Sequence, residues 1–238
     1  MNKLKNILIG LVTAISLTSA AYAGSFGFGV TGSYTKIEAE GTETVSAGTL
    51  GTAQTSAKKA VDNNAFLGSV YAEYNFNDAT WANSGNSVTI GARLTPGSAD
   101  VSDRVQSRTD SSSGADVASE ADTGTYKAQA EVDNYINYYV EIPVWKSLYI
   151  KAGMSTIDVT TLESATGTTI GSYGNKTLDG TNLGVGFKGL AGTNSNIVWK
   201  VAYEQTDFDT LNLTSTTSNT IKADLDTSEF NLSLGYRF

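Results

Sequence analysis

The sequence predicts an all-β protein: a transmembrane antiparallel up-and-down β-barrel of about eight strands, preceded by a cleaved signal peptide at residues 1–23. Three observations carry this expectation. The chain finishes on an alternating segment in which Phe230, Leu232, Leu234, Tyr236 and Phe238 stand against Asn231, Ser233 and Arg237. Every second residue of a strand points the same way, so this segment has one apolar and one polar side. In a soluble protein the apolar side needs a core over it. In a barrel, lipid covers it and the polar side faces the lumen. An ending on the strand itself, at an aromatic residue, suits a barrel's closing strand. At the other terminus, Lys3 and Lys5 precede an apolar run from Ile7 to Leu17, and Ala21-Tyr22-Ala23 places small residues where a signal peptidase reads. That run is too short, and too soon interrupted by Thr and Ser, to remain as a membrane helix. The third observation is that connections between strand-like segments alternate between long and short.

Taken in order, the first strand runs from about Ser25 to Ile37, with Phe26, Phe28, Val30 and Tyr34 on one face and Gly27, Gly29, Thr31 and Ser33 on the other. The second, Phe66 to Phe76, sets Phe66, Val70, Ala72, Tyr74 and Phe76 against Ser69, Tyr71, Glu73 and Asn75. Val88, Ile90, Ala92 and Leu94 mark the third. A long fourth, starting near Tyr126 or later, ends in Ile136, Tyr138, Val140 and Ile142. The fifth carries Leu148, Ile150, Ala152 and Met154; the sixth Leu183, Val185 and Phe187; the seventh Ile197, Trp199, Val201 and Tyr203. The terminal segment is the eighth. Pro96 and Pro143 fall where strands should end, since proline has no N–H for a ladder.

Long polar connections are expected at 39–65, 97–125, 159–181 and 207–228, and short ones near 77–86, 143–147 and 191–196. Short turns belong on the periplasmic side and long loops outside, which puts both termini in the periplasm. Trp81, Trp145 and Trp199 lie at or beside the short turns, as an inner aromatic girdle requires, and Tyr34, Tyr203 and Phe230 suit the outer one.

Eight strands enclose only enough space for their own side chains. The face opposite the lipid carries Glu73, Glu131, Asp133, Glu141, Glu204 and Glu229 against Arg93, Lys151, Lys188, Lys200 and Arg237. A lone buried ion costs several kcal/mol, so a nearly balanced set reads as an ion-paired plug. Without Lys3 and Lys5 of the signal segment, the net charge of −8 becomes −10, and nearly all of it comes from the four long connections, at about −1, −4, −1 and −3. Such a surface repels nucleic acid. Asp207, Asp209, Asp224 and Asp226 flank the last connection, and a continued ladder would bring them onto one face, where Ca²⁺ could bridge them; otherwise no cofactor is expected.

With no His and no Cys, the chain lacks the base of a Ser-His-Asp hydrolase and the usual ligands of zinc. No enzyme is expected. The dyad Glu131/Asp133 could do acid–base work in principle, but lumen acids opposed by bases read as structural pairs. The glycines of 24–32 and 184–189 lack the strand-turn-helix context of a phosphate loop and suit close-packed strand positions.

The ending from Phe230 to Phe238 resembles the sorting signal of Gram-negative outer-membrane barrels. Together with the signal peptide, the eight alternating strands and the Leu-Gly-Tyr-Arg-Phe terminus, it makes the mature chain, 24–238, similar to the small OmpA-, OmpX- and OmpW-type barrels. That resemblance implies an integral protein of the bacterial outer membrane, surrounded by lipid and lipopolysaccharide. It also implies delivery by periplasmic chaperones to the barrel-assembly machinery, with Tyr236 and Phe238 as the main recognition residues. A monomer is expected, without the periplasmic peptidoglycan-binding domain of full-length OmpA-type proteins. Two roles follow: a surface barrel for envelope structure or contact through its loops, or a small porin-like passive channel.

Overall fold

The structure, a computed structural model, describes residues 24–45, 54–55, 58–76, 86–110, 124–166, 172–192, 195–216 and 218–238. The predicted signal peptide at 1–23 and Trp81 lie outside the described residues. Alternating sequences satisfy their backbone groups only by pairing with neighbours, and here they do so as eleven strands. These are β1 (Ser25–Val45), β2 (Gln54–Thr55), β3 (Lys59–Asn75), β4 (Thr89–Asp100), β5 (Gln106–Asp110) and β6 (Gly124–Trp145). They continue with β7 (Leu148–Thr166), β8 (Lys176–Leu190), β9 (Ile197–Phe208), β10 (Leu211–Thr214) and β11 (Thr220–Arg237). Eight of them form an antiparallel ring in the order β1, β3, β4, β6, β7, β8, β9, β11, and β11 returns to β1 along the register Gly27↔Arg237 to Thr44↔Thr220. Ring closure leaves the first and last strands no open edge, which a wall in lipid requires. The short β2, β5 and β10 pair onto β1, β6 and β11 near one end.

The half that holds the termini carries the apolar belt. Phe28, Val30, Val70, Leu183, Leu232 and Leu234 all point outward and are exposed. Phe66, Tyr34, Phe230 and Tyr203 stand directly beside one another across β3, β1, β11 and β9 and form an aromatic row at the belt's far margin. Phe26, Tyr74 and Phe76 stack edge-on at the near margin. Eight residues separate Phe26 from Tyr34, about 26 Å along a strand. Tilted as barrel strands are, that distance suits an apolar band of about 25 Å or slightly less.

Beyond the aromatic row the strands do not stop. The segments expected to be loops at 39–65, 159–181 and 207–228 are largely ladder: β1 continues ten residues past Tyr34 to Thr44, paired with β11 throughout. The reason is visible in the inward face, which changes from polar to apolar at this level. Ile37, Val101, Val132, Tyr135, Ile157, Val159, Leu178, Phe208, Leu211, Leu213 and Leu225 make a hydrophobic core inside the distal half. Burying these side chains stabilises the extended wall in water, at about 25 cal/mol per Å² of apolar surface.

Neither proline ends its strand. The ladder between β3 and β4 stops at Val70↔Leu94, just before Pro96, while β4 itself continues to Asp100 against β6 alone. Pro143 lies within β6, followed by a register shift before Trp145 and a tight turn at Lys146, where φ is 40°. Asn134, at φ 50°, is a bulge in β6 between Asp133 and Ile136.

Candidate functional site

The terminal half encloses a polar interior to which seven of the eight ring strands send a charge. Arg93 from β4 pairs with Glu229 of β11 and lies 3.4 Å from Glu204 of β9; Lys151 of β7 lies 2.8 Å from the same Glu204. Lys200 of β9 binds Glu73 of β3 and stands 2.9 Å from Glu141 of β6, whose other oxygen lies 2.9 Å from Lys188 of β8. Four carboxylates thus meet four cations, with no side chain more than 5% exposed. Charges in so dry a place persist only when each is paired and its remaining donors are used. Lys188 Nζ accordingly also donates to Ser87 O and Thr89 Oγ1 at 3.0 and 2.8 Å.

Tyrosines close the remaining space. Lys151 Nζ lies 4.1 Å from the Tyr139 ring centre, Lys200 Nζ 5.0 Å from Tyr71, Lys188 Nζ 5.4 Å from Tyr149 and the Arg93 guanidinium 5.6 Å from Tyr135. A cation over an aromatic face gains from the ring quadrupole, more so when desolvated. The rings lie flat along the wall because glycines leave room for them. A Cβ on Gly91 would stand 2.5 Å from Tyr139 Cζ, and one on Gly186 2.7 Å from Tyr149 Cζ. Tyr71 was visible as inward-facing from the alternation of its strand. Tyr135, Tyr139 and Tyr149 are not among the lumen residues expected from the sequence, and the signal that places Tyr139 and Tyr149 inside is the parity they share with Glu141 and Lys151 on their own strands.

Three of the expected lumen charges lie elsewhere. Glu131 and Asp133 do not enter the network: the Asn134 bulge reverses the facing of β6, so that Val132 and Tyr135 both point inward and the two acids outward. Period two fails across a bulge because one residue has no partner. Asn134 Nδ2 instead bridges Asp133 Oδ1 at 2.8 Å and Asp158 Oδ2 at 3.2 Å on the outer wall. Arg237 has the inward parity but sits half-buried at the rim and makes no ion pair among the described residues.

Asp207, Asp209, Asp224 and Asp226 all point outward from the distal wall and are exposed. Asp207 and Asp226 are cross-strand neighbours, and Thr210 Oγ1 donates to Asp224 at 2.7 Å. Partial burial and the adjacent Asp207 carboxylate push the Asp226 carboxyl above its ordinary value of 3.8. Among the described residues no three carboxylates converge closely enough to hold a metal ion. The terminal apolar set, Phe230, Leu232, Leu234, Tyr236 and Phe238, faces outward, and Phe238 packs edge-on against Phe28 and Tyr236.

A closed antiparallel ring with an apolar outer belt and an ion-paired interior defines a small transmembrane β-barrel. Residues 7–238 match the outer membrane protein beta-barrel domain, and the chain belongs to that family, which places it in the bacterial outer membrane. Among solved structures it is similar to Ail, the attachment invasion locus protein of Yersinia pestis, at 14% identity and a TM-score of 0.35 over 90% of this chain and 97% of that one. It is similar also to OprG of Pseudomonas aeruginosa, at 13% identity and 0.42 over 91% and 97%. A third is the outer membrane protease OmpT of Escherichia coli, at 10% identity and 0.42 over 93% and 100%. No curated protein matches the chain by sequence.

Proposed function

We propose that this barrel is a non-enzymatic, non-conducting protein of the outer membrane, for envelope structure or surface contact through its distal wall. The observation that carries this reading is the doubly filled interior. Four ion pairs' worth of charge and the tyrosines occupy the terminal half around a void of about 20 Å³ between Tyr71, Arg93, Lys200 and Glu204, and an apolar core lies in the distal half. A permeating ion would have to displace buried partners and then cross the apolar layer. Each network carboxylate is already opposed by a cation, which leaves none poised as a general acid or base.

In this reading the termini are periplasmic and the long ladder stands outside the cell, as the tight turn between β6 and β7 at the terminal end favours. The outward aromatic and aliphatic residues of β11 serve as the assembly signal, with Tyr236 and Phe238 read by the assembly machinery. Recording the purified protein in planar bilayers tests the closed lumen: a flat baseline is expected, and steady unitary openings would replace this reading with the passive channel. For assembly, Tyr236→Ser should lower outer-membrane levels several-fold, while Thr216→Ala in the distal wall leaves them unchanged. Equal levels of the two variants in membrane fractions would remove the signal's special role.

A further inference from the structure

The distal mouth of the barrel is crossed by a bar. Residues 172–175 lead into β8 and belong to no ladder. Tyr173, their one apolar side chain, is half-buried against the hydrophobic core, while Ser172, Gly174 and Asn175 are exposed. The bonds of Tyr173 run to opposite sides of the ring. Thr161 Oγ1 of β7 donates to Tyr173 O at 3.1 Å, and Tyr173 OH donates to Glu43 Oε1 of β1 at 2.9 Å. In the closed circle of eight strands β1 and β7 are four places apart, and so stand diametrically opposed. Thr161 shares the inward parity of Ile157 and Val159, and Glu43 that of Ile37 and Ala39. Tyr173 therefore spans the opening from wall to wall. A further side is held by Ser172, whose carbonyl accepts from Thr216 N at 3.1 Å and whose N–H donates to Thr216 Oγ1 at 3.3 Å, in the turn between β10 and β11.

Tyrosine suits this place because its ring is apolar and its tip is not, so one side chain rests on the core and still bonds at the rim. The wall around it is built differently. β1 pairs with β11 as far as Thr44↔Thr220, and β7 with β8 from Val159↔Lys176, with no rung supplied by 172–175. A segment tied by a few bonds and one apolar anchor opens at a much lower free energy than continuous ladders do.

We propose that residues 172–175 are a strap that seals the apolar core from water at the distal mouth, with Tyr173 as its latch, and that the strap opens while the wall stays closed. Glu43 fixes the closed position by accepting from the latch; Thr161 and Thr216 hold the strap's backbone. Opening reaches the core and leaves the ion-paired half shut, so the strap controls access from the distal side alone.

The chain has no cysteine, so one introduced thiol reports on one position. In the mature barrel in lipid nanodiscs, Leu225→Cys places that thiol in the core, where Leu225 is 5% exposed. Its rate of reaction with a charged, water-soluble methanethiosulfonate measures how often the core meets water. Adding Tyr173→Ala should raise this rate at least about tenfold, as loss of a buried aromatic anchor implies. Tyr173→Phe, which keeps the ring, should raise it less. Glu43→Gln retains an acceptor for the hydroxyl and should leave the rate near that of the Leu225→Cys parent, whereas Glu43→Ala should raise it as Tyr173→Phe does. Amide hydrogen exchange separates a strap from a wall: protection at Ile37 and Thr227, within the β1–β11 ladder, should not change on Tyr173→Ala. A labelling rate indifferent to Tyr173→Ala, equal rates for the two Glu43 variants, or protection lost from the ladder as labelling quickens would each overturn the assignment.

Discussion

The two halves of this barrel share one wall and one period, yet they are inside-out with respect to each other. Near the termini β1 turns Phe28 and Val30 out and Thr31 and Ser33 in; ten residues on, it turns Lys36, Glu38 and Glu40 out and Ile37 in. β11 repeats the change, from Leu232 out and Asn231 in to Asp226 out and Leu225 in. The backbone does not alter at the crossover, since the β1–β11 register runs through it unbroken. Solvent is what alters. Where lipid lies outside, apolar side chains go out and polar ones pair within; where water lies outside, the hydrophobic effect recovers its usual direction. One half is held by ion pairs and hydrogen bonds in a dry interior, the other by apolar burial.

The sharpest break of this comparison is to remove one cation from the terminal half. Lys200→Met leaves Glu73 and Glu141 without their shared partner and should cost about 3–5 kcal/mol in reversible urea unfolding from vesicles, the usual effect of stranding a buried charge. A loss below about 1 kcal/mol would mean that water reaches these carboxylates. Next come two leucines of opposite facing. Leu178→Ala, 2% exposed in the distal core, should cost about 2–5 kcal/mol through the cavity it leaves. Leu232→Ala, outward in the belt, should cost less than half as much because lipid follows the retreating side chain. Similar losses at both sites would erase the distinction between the halves.

The smallest effect concerns the distal outer face. The Asp226 carboxyl is raised above 3.8 in the folded barrel, so the native state holds this proton more tightly than the unfolded chain does. Relative to Asp226→Asn, the natural protein should therefore gain stability as pH falls from neutral into the range just above 3.8, and lose it again as pH rises. The change should stay under about 1 kcal/mol, given the solvent around this pair. A difference between the two proteins that is flat or runs the other way, measured at pH 7 and pH 4.5, removes the Asp207–Asp226 repulsion as its source.

How far this architecture can be read from the residues depends on what interrupts the alternation. Within the belt nothing does, and the eight strands and their lipid faces follow from apolar residues at every second position. Glu73, Arg93, Glu141, Lys151, Lys188, Lys200, Glu204 and Glu229 share the opposite parity and meet in the interior. Glu131 and Asp133 miss that meeting because a single extra residue at Asn134 reverses their strand, and no pattern in the neighbouring residues announces a bulge. The distal ladder was hidden for a different reason. Its Thr, Ser, Gly and Asp are turn formers when alone, and only pairing across β1, β11 and β3 turns them into strand.

Alternation along the chain, by itself, determined the all-β wall, the faces of the belt and the charges available to the lumen, because period two is a local property of an extended backbone. Which carboxylate meets which lysine, where the facing of β6 reverses, how far the wall extends past the membrane and where the β3–β4 ladder stops were decided only by tertiary structure. Each of these depends on register between strands that lie far apart in sequence, and register follows from the packing of the whole ring.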